Sequence, residues 1–128
     1  MPKILLDSDV IIEWLRGHSP FTQQMVQLIE AHADLCWTPV SIAEILAGSR
    51  KSEDEAIADL FLLLEALPLT TDVGRKAGEY LKSYAKSHGV ELGDALIAAS
   101  ASSSGRQLWT LNKKHYPMKE IRFFSCPP

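Results

Sequence analysis

With 128 residues, 46% of them hydrophobic and 23% charged, the chain carries enough apolar material for one compact domain, which excludes disordered, collagen-like and coiled-coil readings. The net charge of -3 argues against holding nucleic acid by bulk positive charge, although it leaves open a hold through metal ions and a few local cations.

Short apolar runs alternate with segments of helical period, the pattern of βα units around a parallel sheet, so the expected class is α/β. Lys3 to Asp7 reads as the first strand and Val10 to Arg16 as the helix after it. Ser19 and Pro20 offer an N-cap and a first-turn proline for a helix carrying Phe21, Met25, Leu28 and Ile29. Leu35 to Thr38 is a second strand, and Ser41 opens another helix. Ser52 and Glu55 form a capping box before a helix with Ile57, Leu60, Phe61 and Leu64. Leu67 to Leu69 is a short third strand, followed by a helix with Val73, Ala77, Tyr80, Leu81 and Tyr84 on one face and a stop at His88-Gly89. Ala95 to Ala101 is apolar or small almost all round, so that helix is expected to lie buried against the sheet until Ser102 to Gly105 ends it. Gln107 to Thr110 and Ile121 to Phe124 are the last two strands.

No repeat or linker divides the chain, so residues 1–128 read as a single domain. Cys36 and Cys126 show neither a metal spacing nor a disulfide framework and are expected as free thiols in a reducing compartment. The three apolar residues before Asp7 are too few for a secretory signal, and no run approaches the ~20 residues that span a bilayer. A cytoplasmic protein with no membrane contact is the expectation.

In an open α/β sheet, ligands bind beyond the carboxyl ends of the strands. Asp7 ends the first strand, and because Ser8 or Asp9 is better placed to cap the next helix, Asp7 is left without a structural task. Glu44 follows the second strand in TPVSIAE, where Ser41 to Glu44 also fits a capping box, so both roles stay open. Asp94 enters the most apolar helix; the helix dipole favours an acid there, yet a charge beside a buried helix needs a partner. Glu91, one turn earlier, reads as solvated. Thr110 and Asn112 follow a strand and offer uncharged oxygens. Carboxylates gathered in this way repel one another unless a cation lies among them, and oxygen-only ligands point to Mg²⁺ or Mn²⁺. His18, His32, His88 and His115 show no zinc spacing.

The order ILLDSDVIIEWLRG, TPVSIAEILAG, ELGDALIAASA and LWTLNKKHYP resembles the PIN-domain ribonucleases, and specifically the VapC toxins of VapBC toxin-antitoxin modules, along nearly the whole chain. The resemblance implies a three-layer α/β/α sandwich around a mainly parallel sheet. It matches Asp7, Glu44 and Asp94 to the family's metal-holding acids and Asn112 to the fourth position, with His115 and Tyr116 completing that motif. There Thr110 would orient a metal-bound water. The implied activity is Mg²⁺-dependent hydrolysis of structured RNA such as tRNA or rRNA, in a homodimer inhibited by a cognate VapB-type antitoxin. Ser8 is a supporting residue, and Lys113 and Lys114 are candidate phosphate contacts, ahead of Arg16, Arg50 and Lys51. Trp14, Phe21, Met25 and Trp37 fit either the antitoxin groove or the core.

Two rivals are weighed against this. Asp7-Ser8-Asp9 has the spacing of haloacid-dehalogenase-like phosphatases, but Ile11 stands where they have threonine or valine, and Asp94 has no second acid beside it. The other is a catalytically weak PIN-like module that binds RNA or a partner, which the asparagine at 112 keeps in play.

Overall fold

The structure, a computed structural model, describes residues 2–125; Cys126 lies outside them. Strands β1 (Lys3–Leu6), β2 (Asp34–Trp37), β3 (Glu65–Ala66) and β4 (Gln107–Trp109) pair in parallel in the order β3-β2-β1-β4. Successive residues of a strand point to opposite faces, and the apolar residues are sorted accordingly. Ile4, Leu6, Leu35, Trp37 and Trp109 face one layer, while Leu5, Cys36 and Leu108 face the other.

Helices α1 (Ser8–Leu15), α2 (Phe21–Glu30), α3 (Pro39–Gly48) and α4 (Asp54–Leu63) cover the first face through Val10, Ile11, Met25, Leu28, Ile45, Ile57 and Leu60. Helices α5 (Thr71–His88) and α6 (Leu92–Ser104) cover the second through Val73, Ala77, Tyr80 and the alanines of α6. Those alanines, Ala95, Ala98, Ala99 and Ala101, are at most 1% exposed and let α6 lie close against α5 and the sheet. This is the expected three-layer α/β/α sandwich. Met25 and Trp37 are core residues at 0% and 1% exposure, so neither lines a surface groove, whereas Trp14 and Phe21 are half-buried.

Several boundaries differ from the sequence expectation, each for a local reason. Helix α1 begins at Ser8 and Asp7 is its cap, because the Asp7 carboxylate accepts the Ser8 amide. Ser19 does not cap α2: Pro20 stands at the cap position, and the Thr22 amide is taken by the His18 carbonyl instead. Helix α3 starts at Pro39, since Thr38 Oγ1 accepts from the Ser41 amide and a first-turn proline needs no donor. A 3₁₀ turn at Lys51–Glu53 contains Ser52, and the reciprocal cap bond runs from the Arg50 amide to Glu53 rather than between Ser52 and Glu55. The third strand is Glu65–Ala66, ahead of the expected Leu67 to Leu69, because Pro68 has no N–H and restrains the residue before it. The final strand is reduced to one parallel bridge, Leu108 to Phe123. Gly89 and Gly105 close α5 and α6 in the left-handed conformation, at φ 65° and 68°. Among the described residues no helix is long and apolar enough to cross a membrane.

Candidate functional site

The parallel strands end together at Leu6, Trp37 and Trp109, and the next residues, Asp7, Thr38 and Thr110, stand along one edge. The Asp7 amide donates to the Trp109 carbonyl at 2.9 Å, which ties the start of α1 to the end of β4. Around this edge lies an open hollow of about 350 Å³. Five carboxylates from three segments line it: Asp7 and Asp9 from α1 and its cap, Glu44 from α3, and Glu91 and Asp94 from the entry to α6. Ser8, Asn112 and His115 complete the polar part of the wall.

Asp7 is 9% exposed and is held on both oxygens. Its Oδ1 accepts the Ser8 amide at 2.8 Å; its Oδ2 accepts Thr110 Oγ1 at 2.9 Å and the Tyr116 phenol at 2.7 Å. Burial first, and then the charge of Asp7, push the Tyr116 phenol far above the ordinary range, so it keeps its proton and remains the donor. Thr110 Oγ1 also lies 3.3 Å from Asp9 Oδ2 and accepts the Asn112 amide at 3.1 Å. Its single hydroxyl proton lies between the carboxylates of Asp7 and Asp9, nearer the first.

Asp9 reaches well beyond its own helix. Its Oδ1 accepts the Val10 amide at 2.7 Å, and its Oδ2 accepts the Leu111 amide at 3.0 Å. Burial and then the charge of Asp7 raise its pKa from 3.8 to about 6, against the pull of those amides and of Thr110. Asp94 is likewise raised, by burial first and also by Asp7, while the Glu91 amide at 3.2 Å and His115 at 3.8 Å hold it down. Glu44 is no part of a capping box, because α3 starts two residues before Ser41. Its Oε1 accepts the Ser8 hydroxyl at 2.8 Å, and Ser41 Oγ lies 3.0 Å from that hydroxyl.

The structure therefore brings Asp7, Ser8, Glu44, Asp94, Thr110 and Asn112 to one place. Lys113 is not in the lining: its ammonium sits 5.3 Å from the centre of the Phe123 ring, and Lys114 lies outside the wall as well. Sequence reasoning assigned Asp9 to a helix cap, left Glu91 in solvent and gave Tyr116 no task. The alternation of Asp7 and Asp9 was the available signal for the first of these. A second hollow of about 200 Å³ shares Ile12 and Glu44 with the acidic one and carries Arg16 and Arg50.

A wall dominated by carboxylate oxygens, two of them on groups raised by burial and mutual repulsion, suits a hard divalent cation. The carboxylates ring the hollow rather than converge on a point. Among the described residues, the trio whose ligand atoms all lie within 4.8 Å of one another is a different one, Asp34, Cys36 and Glu65. It belongs to the opposite, amino-terminal side of β2 and β3, where Arg106 already holds Asp34 at 3.0 Å and lowers its pKa through that hydrogen bond.

The PIN domain family pattern matches residues 4–121. Ribonuclease VapC10 of Mycobacterium tuberculosis is 39% identical over 120 residues, covering 91% of this chain and 88% of its own length. Ribonuclease VapC19 of the same species is 31% identical over 115 residues, covering 89% and 92%. Among solved structures, DNA-bound VapBC from Salmonella typhimurium superposes with a TM-score of 0.78 over 97% of this chain and 98% of that one, and at 20% identity this is a likeness of fold. With the acids at the strand ends, the order of elements and these relatives in agreement, the chain belongs to the PIN-domain family and, within it, to the VapC group.

Proposed function

We propose that this protein is a metal-dependent endoribonuclease toxin of the VapC type, cutting phosphodiester bonds in structured RNA such as tRNA or rRNA. The observation that carries the reading is the hollow, where five carboxylates surround one opening at the carboxyl ends of a parallel sheet. The names of the two Mycobacterium tuberculosis relatives support RNA as the substrate. Residues 1–128 act as one PIN domain, in the cytoplasm and as a homodimer. A VapB-type antitoxin is the partner; the exposed Leu46, Phe61, Leu62 and Leu63 of α3 and α4 supply apolar surface for such protein contacts.

Asp7, Asp94 and Glu44 hold the ion, Mg²⁺ with Mn²⁺ as a substitute. The chemistry such an ion supplies when bound is neutralisation of charge on the phosphoryl oxygens and a water acidic enough to attack near neutral pH. Ser8 fixes the Glu44 carboxylate from the start of α1. Thr110 and the Leu111 amide fix Asp9 beside Asp7, and one of these carboxylates takes the attacking water's proton. Asn112 adds a neutral oxygen to the wall, and Lys113 and Lys114 flank the RNA further out.

Incubating total bacterial RNA with the purified, antitoxin-free protein and Mg²⁺ or Mn²⁺, beside Asp7→Asn and Asp94→Asn, tests the reading once the new ends are mapped by sequencing. Discrete cuts that require metal and both aspartates are expected. Folded protein that binds RNA and leaves it uncut with either metal would make the chain a PIN-like binding module, the alternative that Asn112 keeps in play.

A further inference from the structure

We propose that Tyr116 is a positioning residue that fixes Asp7 so that it offers one carboxylate oxygen, Oδ1, to the divalent ion; this rests on the metal-dependent reading above. The Tyr116 phenol donates to Asp7 Oδ2 at 2.7 Å and Thr110 Oγ1 donates to the same atom at 2.9 Å, which commits both of its lone pairs. Among the described residues Oδ1 accepts the Ser8 amide alone, at 2.8 Å, and retains one lone pair. The terminal torsion of an aspartate is otherwise broad, so the plane of an unrestrained carboxylate is poorly defined. Donors on both oxygens define it here.

Tyr116 is itself buried and packed. It is 3% exposed, belongs to the apolar cluster with Val90, Ala95 and Met118, and its amide donates to the Lys113 carbonyl at 3.0 Å. Short hydrogen bonds from a hydroxyl to a carboxylate are among the stronger ones. A phenylalanine would fill the same slot and leave Oδ2 with Thr110 as its only hydroxyl donor. One lone pair of Oδ2 is then free to compete with Oδ1, and the restraint on that oxygen rests on Thr110, whose hydroxyl also lies 3.3 Å from Asp9, so the preference for Oδ1 would be lost. A tyrosine that merely satisfies its own hydroxyl leaves metal affinity untouched, which separates the two cases.

The test compares Mn²⁺ affinity, by calorimetry on metal-free protein, in wild type, Tyr116→Phe, Asp7→Asn and the double variant, alongside the Mg²⁺ dependence of RNA cleavage. Tyr116→Phe is expected to fold and to bind Mn²⁺ about ten-fold more weakly, the usual size of an effect on a ligand's supporting hydrogen bond. Half-maximal cleavage then needs correspondingly more Mg²⁺, while kcat at saturating Mg²⁺ recovers. In the Asp7→Asn background the Tyr116 substitution is expected to change nothing further, because the group it positions is gone. Wild-type affinity in a folded Tyr116→Phe overturns the proposal. Wild type that binds no Mn²⁺ overturns the metal-dependent reading instead.

Should Tyr116→Phe not fold, 3-fluorotyrosine labelling of the three tyrosines reads the contact in the wild-type sequence. The fluorine resonance that persists in both Tyr80→Phe and Tyr84→Phe belongs to Tyr116. Its saturable shift with added Mg²⁺ is expected, and its indifference to Mg²⁺ overturns the proposal.

Discussion

Asp9 shows what crowding does to a single residue of this site. Folding raises its pKa from 3.8 to about 6, chiefly by burial and then by the charge of Asp7, so the folded protein binds more protons than the unfolded chain between those values. The stability this group contributes is fully present below about pH 3.8 and is lost as the pH rises through about 6. Asp9→Asn removes the charge but keeps an oxygen for only one of the two amides, because Val10 donates to Oδ1 and Leu111 to Oδ2. Metal-free Asp9→Asn is therefore expected to lose stability at about pH 4, where the missing acceptor is the whole effect, and to regain about 1 kcal/mol relative to wild type between about pH 4 and pH 7, allowing for solvent screening of a partly exposed group. Urea denaturation of both proteins across that range checks it. A gap that stays constant with pH would show that the effect is not one of charge.

Asp7 and Asp94 stood out as candidates from local pattern, at a strand end and a helix entry, whereas Glu44 stands in the second turn of α3 and was drawn in by the strand before that helix. The task of Asp9 was hidden because its partners, Thr110 and Leu111, are about a hundred residues away along the chain. Tyr116 was hidden for the same reason, its partner Asp7 being distant in sequence.

At the scale of elements, layer order and strand direction follow from hydrophobic period, while the helix starts depend on which nearby oxygen reaches the first free amides. Thr38 outcompetes Ser41 because Pro39 leaves the first helical position without a donor, and that shift of start is what releases Glu44 from a capping role. Helix ends were easier to read, because glycine at the close of a helix has a backbone reason. Gly89 adopts φ +65°, and a Cβ there would meet nothing within 4 Å, so substitution is opposed by the backbone alone. Gly89→Ala is expected to cost about 1 kcal/mol, the penalty for a side chain in the left-handed region. Because Gly89 lines the hollow between α5 and Asp94, the same variant should also weaken Mn²⁺ binding. Thermal melting together with calorimetry reads both effects, and an unchanged melting temperature would contradict the backbone argument.

For the molecule as a whole, the central difficulty is that a chain of net charge -3 with an acidic hollow has to approach a polyanion. A divalent ion held as proposed would invert the field at the hollow itself, but the strand on either side still needs countercharge. Lys113 is turned onto Phe123, whereas Arg16 and Arg50 stand in the hollow that shares Ile12 and Glu44 with the acidic one. Among the described residues neither arginine is in an ion pair, so both guanidiniums are available to phosphate. Reversing both, as Arg16→Glu with Arg50→Glu, is expected to raise KM for RNA about ten-fold or more at moderate salt with little change in kcat. Each lost phosphate contact should also flatten the dependence of log affinity on log salt by roughly one. Mn²⁺ affinity measured in parallel reads any effect passed through Glu44, which lines both hollows. A KM and salt slope equal to those of wild type would mean that the RNA leaves the metal site in another direction, past Asn112 and His115, and Lys114→Glu would then be the variant to raise KM.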